Sequence, residues 1–420
     1  MSTSELAAEP LAAGPLATDG VLRRVPGDPA RWSAYLPAPT VQSHAANLAR
    51  LPGGDLGCVW FGGTQEGIGD IVVWFSRLAP GAEVWSAPVQ LSDDPTRSEQ
   101  NPVLFTAPGG AVWLLYTAQL GGNQDTAEVR RRISTDDGRT WGPVRTLLPA
   151  GPGGGVFVRQ PITVLRSGRW LLPVFRCGTV PGKAWVGDRD TSSVFVSDDQ
   201  GAAWREVPVP DSVGRVHPGV VQLADSSLLA LFRSRWADSI YESRSTDDGE
   251  TWTVPVATEL PNNNSSLQVT TLDDGRLALV FNSASAADAT ARRVSLYDEI
   301  TDGGLAADDA DDGPNLVAPG SEPEPGPDEA GPTAFWGAPR APMTLAISAD
   351  GGRTWPERRN LDVGDGYCLT NNSRDGLNRE LSYPSILQAP DGDLDVAYTY
   401  HRQAIKHVRV ASSWVARGEP

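Results

Sequence analysis

The apolar positions of this chain fall in short strand-like runs, and one grouping recurs along it. A polar pair is followed by an apolar strand, a Gly/Asp turn and a second apolar strand. Copies begin at His44-Ala-Ala-Asn-Leu, Gln100-Asn-Pro-Val-Leu, Arg159-Gln-Pro-Ile-Thr, His217-Pro-Gly-Val-Val, Asn264-Ser-Ser-Leu-Gln and Ser382-Tyr-Pro-Ser-Ile. Turns such as Pro52-Gly-Gly-Asp55, Asp274-Gly275 and Asp391-Gly392 follow them. The starts are 56, 59, 58, 47 and 118 residues apart. Self-similarity at this period marks an array of supersecondary units. In a propeller blade the first strand lines the central channel. The residues that open these strands are therefore predicted to form one ring of side chains at the rim of a channel, where a ligand would sit.

A second repeat runs out of phase with the first. Ser134-Thr-Asp-Asp-Gly-Arg-Thr-Trp141 returns as Ser245-Thr-Asp-Asp-Gly-Glu-Thr-Trp252, as Ser348-Ala-Asp-Gly-Gly-Arg-Thr-Trp355 and, more weakly, as Ser197-Asp-Asp-Gln-Gly-Ala-Ala-Trp204. Each copy lies between two apolar strands. Asp can bond the amides of a tight turn, Gly supplies positive φ, and Trp plugs the space between strands. These copies read as structural hairpins on the outside of the ring. Together the repeats predict an all-β fold, a β-propeller of four-stranded antiparallel blades. Six blades are favoured and seven are the alternative, because the 118-residue gap could hold another blade. We place an insertion after Asn282 instead. Its Thr301–Thr333 segment is rich in Asp, Glu, Gly, Pro and Ala, and reads as a flexible acidic loop within about 301–333. Met343-Thr-Leu-Ala-Ile347 then leads into a turn repeat, as the third strand of a blade should. The domain division expected is a disordered segment 1–20 and a single propeller over 21–420. A strand near Val21–Val25 or Trp32–Leu36 is predicted to complete the last blade and hide the open edges.

Composition narrows the function. The chain has 420 residues, 14 Trp, 44 Gly, 35 Pro and a formal net charge of −17. That charge argues against non-specific nucleic-acid binding, which needs a basic footprint. It leaves room for a small acidic ligand, since a few local arginines override a global field. Cys58, Cys177 and Cys368 are far apart and lack metal-ligand spacing; core positions are expected for them. From Met1 to Gly20 no basic stretch precedes an apolar run, so neither a signal peptide nor a membrane span is read, and the compartment stays open. No cofactor or metal motif is present. A structural Ca²⁺ held by backbone oxygens would leave no such trace. A monomer is expected.

Two of the four histidines, His44 and His217, open inner strands of different blades, which puts two titratable rings on one rim. His401 and His407 fall in the last blade. Arginines gather near strand ends: Arg159, Arg233, Arg235, Arg340 and Arg379. Their forks suit planar carboxylates, although surface ion pairs are the alternative. Glu66 and Asp70 sit in the Gly-rich loop Gly62-Gly-Thr-Gln-Glu-Gly-Ile-Gly-Asp70, which lacks the Lys-Ser/Thr of a phosphate cradle. Gln100, Asn101 and Asn264, the last within Pro261-Asn-Asn-Asn-Ser-Ser266, offer amides for sugar hydroxyls or for capping turns.

The turn repeats match the Asp-box of sialidase-type propellers, and most of the chain resembles that superfamily. Tyr383-Pro-Ser-Ile-Leu with Asp391-Gly392 resembles the strand that carries the sialidase nucleophilic Tyr. Arg233 and Arg340 resemble two of the three arginines that hold the substrate carboxylate, and Asp70 lies near the acid/base Asp. Two departures stand out: His44 falls on the first of those arginines, and His217 on the Glu that activates the Tyr. Ser43-His-Ala-Ala-Asn47, Leu260-Pro-Asn-Asn-Asn-Ser-Ser266, Phe335-Trp-Gly-Ala-Pro-Arg-Ala-Pro-Met343 and Gly364-Asp-Gly-Tyr-Cys368 resemble a narrower group, the L-rhamnose-α-1,4-D-glucuronate lyases. Those propellers release terminal rhamnose from glucuronate in arabinogalactan-type glycans. The resemblance implies His44, His217, Tyr383 and Arg159 in catalysis. It implies Arg233, Arg235, Arg340, Arg379, Gln100, Asn101, Asn264, Glu66 and Asp70 in binding an acidic glycan. The alternatives are an exo-acting hydrolase with Asp70 or Glu66 as acid, and a non-catalytic glycan-binding propeller.

Overall fold

The computed structural model describes residues 16–179, 185–293, 331–370, 373 and 376–417, with the backbone of short strand pairs at 300–301, 304–305 and 316–317. Six antiparallel sheets follow one another along the chain. Blade one comprises Gln42–Arg50, Leu56–Gly63, Val72–Leu78 and Val89–Gln90. Blade two comprises Arg97–Thr106, Val112–Leu120, Asn123–Ser134 and Arg145–Leu148. In blade three the inner strand is split into Val156–Val158 and Thr163–Val164, both on Trp170–Arg176, followed by Thr191–Ser197 and Arg205–Pro208. Blade four is Arg215–Gln222, Leu228–Ser234, Ser239–Ser245 and Val256–Pro261. Blade five is Gln268–Thr271, Leu277–Asn282, Met343–Ser348 and Glu357–Asp362. The long gap is thus an excursion between the second and third strands of blade five, and the ring has six blades. Most of the predicted acidic loop, namely 302–303, 306–315 and 318–330, lies outside the described residues, as do 1–15 of the N-terminal segment. Residues 16–20 are described, and Gly20 bonds both Tyr35 and Trp85.

Blade six joins the two ends of the chain. Leu381–Gln388, Leu394–Tyr400 and Ala404–Val410 are completed by Asp28–Tyr35, which pairs with Ala404–Val410 from Arg31↔Val410 to Tyr35↔Lys406. Arg23–Val25 adds a fifth strand outside it, so both of the N-terminal candidates are used. Across the closure, the Trp85 indole donates to His407 Nδ1 at 3.3 Å and His407 Nε2 meets Asp395 at 3.0 Å. An indole only donates, so His407 carries its proton on Nε2 and serves as a structural tie.

The core consists of layers between blades. Leu48, Leu56 and Trp60 of blade one meet Ala34, Ala397 and Ile405 of blade six. Val59, Phe75 and Leu104, Leu114 join blades one and two. Equivalent clusters join each later pair. Both faces of a blade are therefore apolar, which explains unbroken runs such as Leu228-Leu-Ala-Leu-Phe232 and Leu277-Ala-Leu-Val-Phe281. The Asp-boxes sit between third and fourth strands, on the outside of blades two to five. In the first, Asp136 accepts from Thr140 N at 2.8 Å and Thr140 Oγ1 at 2.6 Å, and Ser134 Oγ accepts from Gly138 N at 2.8 Å. Asp199, Asp247 and Asp350 repeat this bonding to the turn amides. The three cysteines are buried and unbridged.

The inner strands break register at one level. The breaks lie between His44 and Asn47, Gln100 and Val103, Val216 and Gly219, and Ser382 and Ser385. Ala45, Asn101, His217 and Tyr383 there have φ of 62°, 49°, 53° and 52°, and Asn264, just before the inner strand of blade five, has 56°. Non-glycine residues seldom adopt this conformation, and such outliers gather at functional sites. His217 itself holds the left-handed place that Asn101 and Tyr383 hold, so the fourth copy of the sequence repeat is in register one residue earlier, at Val216.

Trp355 is fully buried among Leu229, Leu277 and Leu279 between blades four and five. Trp355→Ala is expected to cost about 3–5 kcal/mol and to leave the ring of inner-strand residues unchanged. Urea unfolding followed by far-ultraviolet circular dichroism checks this.

Candidate active site

Tyr383 stands at the centre of the polar residues that the inner strands bring together. Its ring centroid is 4.4 Å from that of His44 and 5.7 Å from that of His217. Arg233 Nη1 donates to its hydroxyl at 2.6 Å. The guanidinium carbons of Arg159, Arg233 and Arg340 lie 5.3, 5.7 and 5.7 Å from the phenol ring. These groups come from the inner strands of blades one, three, four and six, the second strand of blade four, and the segment that leads from the insertion into blade five.

Each ring has an open nitrogen. His44 Nδ1 is 2.8 Å from Thr399 Oγ1, while its Nε2 is buried without a partner. His217 Nδ1 is likewise unpartnered. Burial, and then Arg402, Arg340, Arg159 and Arg233, hold the His44 pKa well below its usual value. Burial, and then Arg233, Arg235, Arg159 and Arg340, do the same for His217. Both imidazoles are therefore neutral at pH 7.

The carboxylates nearby are occupied. Glu380 is fully buried; it accepts from Arg340 Nη1 at 2.7 Å and from Arg402 Nε. Burial pushes the Glu380 carboxyl up, but Arg402 and Arg340 outweigh it and leave it below the usual range. Arg402 also donates to Glu66 Oε2 at 2.6 Å. Glu66 and Glu380 thus balance Arg340 and Arg402. Arg233 and Arg159 have no such balance: Arg233 bonds Asn264 Oδ1 (2.7 Å) and Tyr383, and Arg159 bonds backbone carbonyls. Burial pushes the Arg233 pKa down to about 9 and that of Arg159 to about 10. Two buried cations without a carboxylate favour an anionic ligand.

Glu380 and Arg402 are absent from the sequence reading. Glu380 lies beside Arg379 and immediately before an inner strand, a position that could have drawn attention to it. Arg402 sits in the hairpin Tyr400-His-Arg-Gln403, where His401 and Arg402 have φ of 54° and 55°. That turn lacks the Asn-Gly signal of its type, so nothing in the sequence aims Arg402 inward.

Other predicted residues lie apart from Tyr383. Arg235 is committed to Asp190 (2.9 and 2.6 Å) and packed on Phe175, Trp185 and Trp336. Arg379 is partly exposed, paired with Asp365 and stacked on Tyr367. Asp70 is exposed, and its carboxylate accepts from Thr64 N at 3.1 Å. Gln100 and Asn101 are buried at the blade-two break with Oε1 and Oδ1 unpartnered. Asn264 spends its amide on Phe335 O and Arg233, and its neighbours Asn262 and Asn263 bond the backbone of Ser234 and Pro339. Among the described residues, no group of three His, Cys, Asp or Glu side chains is placed to hold a metal, and no helix is long and apolar enough to cross a membrane.

Six four-stranded blades around an arginine-rich centre define a sialidase-type propeller. The chain belongs to the BNR repeat-like domain family, which it matches over residues 54–396. No curated protein sequence matches it. Its fold is similar to that of the Hadza microbial sialidase Hz136, at 14% identity and a TM-score of 0.61, covering 89% of this chain and 66% of that one. It is similar to a protein of unknown function from Dyadobacter fermentans DSM 18053 (14%, TM-score 0.61, 94% and 98%). It is also similar to the intramolecular trans-sialidase from Ruminococcus gnavus, solved with oseltamivir carboxylate (14%, TM-score 0.60, 92% and 98%). At such identities the likeness is one of fold.

The two histidines generate a pH dependence of stability. Their folded pKa values are depressed, so below about pH 6.5 the unfolded chain binds protons that the folded chain does not. Stability is therefore unaffected by them above that pH and falls below it, by up to about 1.4 kcal/mol per pH unit for each ring. Urea unfolding at pH 7.5, 6.5 and 5.5 should show this slope, and His217→Phe should lessen it by the share of that ring.

Proposed function

We propose that this chain is a carbohydrate-active enzyme for acidic glycans, a lyase that releases terminal L-rhamnose from D-glucuronate by β-elimination. The observation that carries the reading is the setting of Tyr383: two neutral imidazoles flank it, and an arginine, not a carboxylate, holds its hydroxyl.

Elimination from a uronate needs its carboxylate neutralised so that the C5 proton becomes acidic, and a buried guanidinium supplies this. Arg233, which has no carboxylate partner of its own, takes that role. A base removes the C5 proton, the electron pair forms the C4=C5 bond, and the C4–O4 bond breaks. An acid protonates O4, which departs with rhamnose. His44 or His217, neutral at rest, takes the C5 proton as base, and the imidazolium so formed returns it to O4 as acid, with Tyr383, within reach of both rings, assisting. An unpartnered ring nitrogen on each histidine is consistent with groups that complete their bonding on a substrate. Gln100 and Asn101, with unpartnered amide oxygens, suit sugar hydroxyls.

A hydrolase of sialidase type is the second reading, favoured by the fold itself and by Tyr383 on the strand that resembles the nucleophile strand. Against it, Asp70 bonds the backbone of its own loop and Glu66 is tied to Arg402.

Incubation with a rhamnose-capped glucuronate glycan is expected to yield free rhamnose together with rising near-ultraviolet absorbance from a 4,5-unsaturated uronate. Rhamnose without absorbance would mean hydrolysis; neither signal would remove the lyase assignment. His44→Ala and His217→Ala should each lower turnover by about 10²-fold or more.

A further inference from the structure

We infer that Arg159 is a positioning residue, whose Nη2 fixes the backbone under Tyr383 and beside His44 and so sets the two rings against each other, while its Nε and Nη1 are buried without partners. Its catalytic consequence rests on the reaction proposed above; the strut itself does not.

The inner strand of blade six pairs Ser382 with Thr399 and next pairs Ser385 with Ala397. That of blade one pairs His44 with Phe61 and next pairs Asn47 with Val59. Tyr383 and Pro384, and Ala45 and Ala46, are therefore skipped by the ladders. Buried carbonyls so released need donors from elsewhere. Arg159 provides one: its Nη2 lies 3.0 Å from Ala46 O, 2.9 Å from Tyr383 O and 3.1 Å from Pro384 O. Arg159 belongs to blade three, which faces blade six across a six-membered ring, so its side chain spans the channel. It is 1% exposed.

Of the residues it holds, Tyr383 is itself strained and Ala46 directly follows a strained one. Tyr383 has φ 52° and is followed by proline, and Ala45 has φ 62°. A left-handed residue of this kind persists only when its surroundings over-determine it. Ala45 N donates to Thr399 Oγ1 at 3.0 Å, and the same hydroxyl meets His44 Nδ1 at 2.8 Å. The blade-one break thus also orients His44. One guanidinium nitrogen therefore ties together the two breaks that carry Tyr383 and His44.

The test uses Arg159→Met and Arg159→Lys in the full chain, with folding verified by circular dichroism. With a rhamnose-capped glucuronate glycan, both variants should lose about 10²-fold in kcat, the scale of a misplaced reacting group, with KM changed less than about threefold. Lysine keeps the charge without the planar fork and should not restore kcat. A substrate-free arm uses the chain's four histidines. With His and Tyr rings selectively labelled, the His44–Tyr383 ring contact at 4.4 Å should give a nuclear Overhauser effect in the wild type that is lost in both variants. If the wild type shows no turnover, the lyase reading fails and this arm still decides the strut. Retention of the ring contact in both variants overturns the inference. So does a raised KM at unchanged kcat, which would make Arg159 a substrate ligand, and so does full recovery of kcat by lysine. If Arg159→Met does not fold, Arg159→Lys carries both readouts.

Discussion

Each blade is covered on both faces by its neighbours, so apolar burial lies between blades and the axis is left to whatever the inner strands send toward it. Strand side chains alternate between faces, and both faces are already taken. The residues of the inner strands reach the centre where the ladder breaks, because a break turns the chain and re-aims a side chain. This explains why the left-handed residues Ala45, Asn101, His217 and Tyr383 occur at the breaks of blades one, two, four and six. It also explains why the polar cluster is so compact: its members are the side chains that the inter-blade packing cannot absorb.

The electrostatics of the centre follow from that compactness. Arg340, Glu380, Arg402 and Glu66 form an alternating chain in which each buried charge has a counter-charge. Removing one member would strand another, a large penalty in low dielectric. Arg233 and Arg159 are offset instead by hydrogen bonds to an amide, a phenol and main-chain carbonyls. The resulting positive field acts on both histidines together with their burial, and keeps them uncharged. A neutral imidazole next to a cationic cradle can accept a proton once an anion has entered, which couples ligand charge to proton transfer.

Much of the ring was legible in the sequence because its determinants are local. The Ser-x-Asp-x-Gly-x-Thr-Trp turn closes on its own atoms, as Asp136 with Thr140 shows. The inner strands announce themselves by a polar pair before an apolar run. From these, six blades, the place of the insertion and the pairing of the N-terminal strand with the last blade could be worked out. His44, His217, Tyr383, Arg159, Arg233 and Arg340 were all singled out, and the structure brings all six together. What could not be read depends on which side chain meets which across the ring. Arg235 and Arg233 are two residues apart and look alike in sequence, yet one is spent on Asp190 and the other meets Tyr383. Arg402 enters from a turn whose shape its residues do not advertise, and Glu380 became visible only through its two arginines. Asp70, attractive in a Gly-rich loop, bonds the backbone of that loop.

The pairing of Asp28–Tyr35 with Ala404–Val410 has a bearing on how the molecule is made. During synthesis the first of these strands emerges early and waits, its edge unsatisfied, while five blades form behind it. Tyr383, Glu380 and Arg402 all belong to the final blade, so a nascent chain carries the two histidines without the groups they face until its last residues are made. The central cluster is thus assembled in one late step, when the ring shuts, and a chain interrupted before that point leaves the edge of Asp28–Tyr35 unpaired.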